Sequence, residues 1–220
     1  MSNRKIVVFD LDDTLYKEVD FLLSGFRCIS DYLNRDFHVE NSFEFMLQQY
    51  TDQQNVFQNL IAYYQLNVSL EELILIYRNH LPDIKLDQST LWYLKVALEL
   101  GTELGIITDG RKITQKNKIK ALRLDNYIPE ENIVISESFG SEKPAEANYL
   151  YFVEKFGKAD YFYIGDNVNK DFITPNRLNW TSICLLDDGR NIHKQEFSKD
   201  ICFLPQHRIS KINELYSFLE

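Results

Sequence analysis

Five short apolar runs, separated by segments of helical length, restrict this polypeptide to few architectures. They occupy residues 5–10 (KIVVFD), 103–108 (ELGIIT), 132–136 (NIVIS), 160–165 (DYFYIG) and 181–186 (TSICLL), each rich in β-branched or aromatic side chains. Their apolarity is continuous rather than alternating, the pattern of strands covered on both faces, as in a parallel sheet between helix layers. Helix-length segments lie between them at 113–123, 145–156 and 170–178, with Gly157 where a helix stop is expected. This alternation predicts an α/β fold built on a doubly wound, Rossmann-like parallel sheet.

The rhythm breaks once. Between the first two strands, roughly residues 16–86, no comparable strand run occurs, and helix-length segments stand at 21–33, 42–50, 55–64 and 70–80. Ser69 and Glu72 form a capping-box pattern at the start of the last one, and Pro82 closes it. The expectation is a helical-bundle cap domain, residues 16–86, inserted into a core of residues 1–15 and 87–220. Residues 89–100 read as the helix that returns to the core, with Gly101 in the C-cap position.

A chain of 220 residues with 45% apolar side chains can build such a core, and its 8 glycines and 5 prolines argue against a disordered or fibrous polymer. The net charge of −9 and the absence of a Lys/Arg run argue against nucleic-acid binding. They leave room for a small phosphorylated metabolite where a metal and a few basic groups invert the local field. Cys28, Cys184 and Cys202 stand far apart without a CxxC or Cys/His cluster, which suits reduced core thiols of a cytoplasmic protein. No apolar run approaches membrane-spanning length, so no membrane association is expected. The start, MSNRKIVVFDLDD, turns acidic after its short apolar stretch, unlike a signal peptide. Oligomeric state is not legible.

In a doubly wound sheet, ligands bind beyond the carboxyl ends of the strands, where the strand order switches. The polar clusters that follow the apolar runs are Asp10-Leu11-Asp12-Asp13-Thr14, Thr108-Asp109-Gly110 and Gly165-Asp166, so three remote segments deliver polar groups to one rim. Asp10 and Asp12, two apart on an extended chain, lie on one side, with Leu11 on the other. Two carboxylates that close require a cation, or a proton on one of them. Mg²⁺, which prefers oxygen ligands and keeps waters, meets the first need, and a general acid meets the second. Taken alone, such a run is more commonly a solvated acidic turn. An EF-hand-like calcium loop is a poorer match, because the required glycine and later glutamate are missing.

The segment FDLDDTL, residues 9–15, resembles the first signature of the haloacid dehalogenase superfamily of phosphohydrolases. The resemblance implies that Asp10 is the nucleophile that attacks phosphorus and that Asp12 serves as general acid and then general base. The backbone carbonyl of Asp12 would complete the metal shell. Thr108-Asp109-Gly110 is similar to the second motif, whose hydroxyl and backbone N–H groups hold phosphoryl oxygens. Lys143, before Pro144, is similar to the third, whose lysine balances charge. Gly165-Asp166-Asn167-Val168-Asn169-Lys170-Asp171 is similar to the fourth. It implies Asp166 as a metal ligand beside Asp10 and Asp12, with Asp171 and Asn167 in support. Thr-Asp-Gly or a lone lysine is weak evidence alone; four motifs in order, three of them at strand ends, are strong together.

The implied activity is a Mg²⁺-dependent phosphatase acting on a small phosphomonoester through an aspartyl-phosphate. A phosphomutase shares all four motifs and stays open. A dehalogenase of the same fold needs neither Asp12 nor Asp166, and a catalytically silent regulatory module would be favoured by loss of Asp10 or Asp12. The resemblance covers residues 5–10 and 103–186; the inserted segment matches only as a helical cap following the first strand.

Some features depart from the pattern. Asp109 stands where many relatives with this cap carry asparagine, and its charge has to face away or pair, with Arg111 as the candidate partner. Residues 176–181 (NRLNWT) put Asn and Trp where small residues are frequent, which bears on helix packing. Residues 187–197 (DDGRNIHKQEF) read as a surface loop without a role. Arg27, Arg35 and the cap tyrosines are candidate substrate contacts, although aromatics at helical spacing more often form bundle core. Tyr16 and Lys17, directly after the first motif, are expected to line the entry.

Overall fold

Six parallel strands form one sheet in the order β3-β2-β1-β4-β5-β6. They are β1 (Lys5–Phe9), β2 (Glu103–Thr108), β3 (Ile133–Ile135), β4 (Asp160–Gly165), β5 (Thr181–Leu185) and β6 (His207–Ile209). The computed structural model describes residues 4–219; residues 1–3 and 220, included in the expected core segments, lie outside the described residues. The fold is the predicted doubly wound α/β arrangement.

The continuous apolarity of the strands has a direct structural cause. Val7 and Phe9 enter one core with Tyr93, Leu94 and Ala97 of α5 (Gln88–Glu99). Ile6 and Val8 enter another with Tyr149 and Phe152 of α8 (Ala147–Phe156). Both pleat faces of β1 are thus covered, and each fully buried aliphatic or aromatic side chain contributes roughly 1.5–3 kcal/mol. The chain runs outward from β1 through β2 to β3, then crosses to β4 on the other side of β1. The strand order therefore switches between β1 and β4, and the crevice for a ligand opens beyond their carboxyl ends.

After β1 come α1 (Glu18–Phe37), α2 (Ser42–Thr51), α3 (Val56–Tyr64) and α4 (Leu70–Asn79). They enclose a separate apolar cluster that includes Phe26, Ile29, Leu33, Met46, Leu60 and Leu73. The Ser69 hydroxyl caps α4 by accepting from the Glu72 amide at 3.1 Å. The carbonyls at the end of α4 find donors on α6 (Lys112–Ala121): Thr114 Oγ1 donates to Arg78 O at 3.0 Å, and Asn117 Nδ2 donates to Asn79 O at 2.9 Å. This satisfies terminal groups that the helix itself cannot pair.

Three expectations are corrected. The sixth strand is unanticipated, since three residues ending in a single buried isoleucine carry no periodic signal. The segment 170–178 is helical only over α9 (Ile173–Arg177). The Asp171 side chain accepts from the Asn167 amide at 2.8 Å, and the Asp171 amide donates back to Asn167 O at 3.0 Å, which holds the preceding residues in a loop. Of the three free cysteines only Cys184 is buried; Cys202 is exposed and Cys28 lies between. Among the described residues no helix is long and apolar enough to cross a membrane.

Candidate active site

Asp10 lies one residue beyond β1 and Asp166 one residue beyond β4, and both are buried at the switch in strand order. The amide of Asp10 still donates to Ile164 O at 2.8 Å, so the sheet fixes where its side chain begins. Lys143 Nζ, fully buried, donates to Asp10 Oδ1 at 2.6 Å, to Asp171 Oδ1 at 2.8 Å and to Tyr163 Oη at 3.1 Å. Gly165 is required by this packing: a Cβ there would lie 2.5 Å from Asp171 Oδ2 and 2.7 Å from its Cγ.

Asp12 is held differently. Lys118 Nζ donates to its Oδ1 at 2.7 Å, Gln115 Nε2 to its Oδ2 at 2.9 Å, and the Tyr16 hydroxyl also donates to Oδ1. Gln115 Nε2 additionally lies 2.5 Å from Thr108 Oγ1 and 3.1 Å from Asp109 O, joining the ends of β1 and β2. The Gly110 amide, with φ of +140°, donates to Ser136 Oγ at 3.0 Å, so it is engaged within the protein. Asp109 does not pair with Arg111. Its carboxylate accepts from Lys170 Nζ at 2.9 Å and from the Lys143 amide at 3.0 Å, whereas Arg111 contacts Glu137 at 3.2 Å. Both partners come from the segments that carry the third and fourth motifs; the Lys170 ammonium offsets the extra charge beside the site, and the amide satisfies the other carboxylate oxygen.

The electrostatics separate these carboxylates. Burial pushes Asp10 up to about 7; Lys143 opposes that, and the negative charge of Asp171 adds to it. Burial pushes Asp166 up to about 9, reinforced by Asp171 and Asp10. Burial would also raise Asp12, but the Lys118 ammonium and the bonds from Lys118, Tyr16 and Gln115 outweigh it and hold Asp12 below its ordinary value. Burial lifts Glu18 to about 7, with the charge of Asp12 as the next cause.

A cavity of about 130 Å³ sits here, lined by the carboxylates of Asp10, Asp12, Asp13, Glu18, Asp109 and Asp166, with Lys170 and His193 as its basic groups. This surplus of negative charge, with Asp10, Glu18 and Asp166 all resisting ionisation, is what a bound cation would relieve. Asp10, Asp166 and Asp171 each offer a carboxylate oxygen within 4.8 Å of the others. Asp171 is already tied to Lys143 and the Asn167 amide, so Asp10 and Asp166 are the better ligands. Two carboxylates plus water suit Mg²⁺. The side chain of Asp12, turned to Lys118, is not among the three clustered carboxylates. A larger groove of 880 Å³ between α4 and α6 lacks such a carboxylate cluster.

The sequence reading misses Gln115 and Lys118, which lie in a polar helix, KITQKNKIKA, and carry no motif. Residues 187–197 form the expected surface loop, but with contacts at the site that no motif announces. That loop folds over the site: Asn191 Nδ2 donates to Asp166 Oδ2 at 3.1 Å, the Ile192 amide to Asp13 Oδ2 at 2.9 Å, and Gln195 Nε2 to Asp166 O at 2.9 Å.

Comparison with known proteins bears on the family and the fold. The chain is 29% identical over 209 residues to a glyceraldehyde 3-phosphate phosphatase of Methanocaldococcus jannaschii, covering 83% of this chain and 85% of that relative. Its fold is similar to the HAD-hydrolase YfnB of Bacillus subtilis, solved bound to magnesium, with a TM-score of 0.68, 17% identity and full coverage of both chains. It is also similar to a 2-haloacid dehalogenase of Pseudomonas syringae, with a TM-score of 0.62, 19% identity and 98% coverage of both. At such identities these likenesses show the fold alone. The profile of the family described as haloacid dehalogenase-like hydrolase matches residues 7–184, most of the chain. With that match, this chain belongs to the haloacid dehalogenase-like hydrolase family.

Proposed function

We propose that the chain is a Mg²⁺-dependent phosphatase that hydrolyses a small phosphomonoester through a covalent phosphoryl group on Asp10. Residues 16–86 act as a cap over the core of residues 1–15 and 87–220. The observation that carries the reading is the gathering of residues remote in sequence: Lys143 bridges Asp10 and Asp171, and Asp166 adds its carboxylate to theirs. The M. jannaschii relative, a glyceraldehyde 3-phosphate phosphatase, supports the reaction class and a substrate of triose size.

Bound between Asp10 and Asp166, the cation would supply positive charge against the phosphoryl oxygens and lower the resistance of both carboxylates to ionisation. In the first displacement the free oxygen of Asp10 attacks phosphorus, and the bond from phosphorus to the leaving oxygen breaks. Lys143 fixes the nucleophile's orientation through Oδ1 and balances charge, and Thr108 offers a hydroxyl to a phosphoryl oxygen. Asp12 gives its proton to the leaving oxygen; the approaching phosphate charge raises the proton affinity that Lys118 otherwise holds down. In the second displacement Asp12, a carboxylate again, takes a proton from water as that water attacks phosphorus. The bond from phosphorus to Asp10 then breaks, freeing phosphate.

A panel of phosphomonoesters, including triose phosphates, assayed with and without Mg²⁺ tests this. Asp10→Asn is expected to abolish phosphate release, and Asp12→Asn to reduce it by about 10²–10⁴-fold. Release that ignores the metal and survives Asp10→Asn would overturn the mechanism. Isomer interconversion without net release of phosphate would point to a mutase instead.

A further inference from the structure

We propose that Asn191 is a positioning residue, coupling the linker between β1 and the cap to the carboxylate of Asp166. The inference rests on the Mg²⁺ reading above and goes beyond it. Asn191 uses both ends of one planar amide. Its Nδ2 donates to Asp166 Oδ2 at 3.1 Å, and its Oδ1 accepts from Lys17 Nζ at 2.7 Å. The ammonium of Lys17 sets that orientation, because it can only donate and so takes the amide oxygen, which leaves the amide nitrogen for Asp166. Rotating the amide to break one bond breaks the other.

Both sides of this bridge are anchored. The backbone amide of Asn191 donates to Asp187 Oδ1 at 3.0 Å, and the same oxygen accepts from the Gly189 amide at 2.8 Å and the Arg190 amide at 3.0 Å, making a tight turn. On the linker side, Lys17 also contacts Asp188 at 3.0 Å, and Arg190 pairs with Asp20 at 2.5 Å in the first turn of α1. The loop after β5 thus grips the start of the cap with one set of residues and a candidate metal ligand with another. With Oδ2 of Asp166 held by the amide, the other oxygen is left for the cation. Displacing Lys17 releases the amide, so linker position and cation affinity are coupled, and the coupling is reciprocal.

The sign of one substitution separates this relay from simple charge effects. Lys17 is a cation near a cation site, so by Coulomb's law alone Lys17→Met tightens Mg²⁺ binding. If Lys17 acts by holding Asn191, the same change loosens it. Titration calorimetry with Mg²⁺ alone on the full chain, for the parent, Asn191→Ala, Lys17→Met and the double variant, reads this directly. The expected result is weakening by about 10-fold for Asn191→Ala, the usual scale for groups that orient a ligand. Lys17→Met weakens binding by severalfold, and the double variant binds no more weakly than Asn191→Ala.

Thermal unfolding in EDTA checks that each variant folds, and Lys17→Met, at a partly exposed side chain, decides the matter if Asn191→Ala does not. Lys17→Met binding as tightly as the parent or more tightly overturns the relay, as does additivity of the two changes. Either result, in a parent that binds Mg²⁺ and turns over esters, leaves the phosphatase reading standing. A parent that binds no Mg²⁺ overturns both.

Discussion

Replacing Lys143 by methionine tests the electrostatic logic of the site without emptying it. Methionine keeps the unbranched shape but removes the ammonium, whose three hydrogen bonds reach Asp10, Asp171 and Tyr163. Lys143 and Asp171 are 0% exposed at their side chains and Asp10 is 8% exposed, so solvent cannot replace the lost cation. Removing one partner of such a buried pair typically costs about 3–5 kcal/mol. For a chain of this size that lowers the melting temperature by about 6–20 °C.

The deficit depends on pH, and its sign follows from Asp10. The carboxyl sits at about 7 in the folded protein against 3.8 ordinarily. Between those values the folded state holds a proton that the unfolded chain has released, so stability falls as pH rises through the window. Without Lys143 the folded value climbs further and the window extends upward. Urea unfolding in EDTA is expected to show the full deficit near pH 8 and a distinctly smaller one near pH 5.5, where Asp10 is protonated. A deficit equal at both pH values, or none at pH 8, would refute the claim that Lys143 compensates buried carboxylates.

Two further outcomes follow from the same geometry. Asp10 at about 7 and Asp166 at about 9 hold protons near neutral pH that a bound cation displaces. Mg²⁺ binding at pH 7.5 is therefore expected to release protons, read as a calorimetric heat that varies with the ionisation enthalpy of the buffer; a buffer-independent heat would contradict it. Gly105→Ala places a methyl group 2.8 Å from Phe152 Cζ and 3.2 Å from Asn132 O inside the β2–α8 contact. A loss of about 1–3 kcal/mol is expected in urea unfolding, and a change below about 0.5 kcal/mol would show that this contact is looser than the packing indicates.

Much of the molecule is legible locally. The runs KIVVF, ELGIIT and DYFYIG announce buried strands, because alternate side chains enter the two cores and neither face tolerates polar groups. Asp10, Thr108 and Asp166 are legible for a related reason: each stands at or just beyond the end of such a strand, where a doubly wound sheet opens its crevice. Strand order, which puts Asp10 beside Asp166, is not a local property, and neither is the packing that brings Lys143 against Asp10 and Asp171.

The polar residues that complete the site are decided by tertiary structure alone. Gln115 and Lys118 belong to a decapeptide that reads as a solvated helix, yet they are 1% and 4% exposed, because α6 is laid against Asp12 more than a hundred residues away in sequence. Residues 187–197 are as polar as any surface loop, and they close on Asp13 and Asp166 because the chain after β5 returns across the switch point. Whether a strand or a helix forms is set by neighbours within a few residues. Whether a polar side chain meets water or a buried carboxylate is set by which distant segment packs against it, and that partner is encoded only in the fold as a whole.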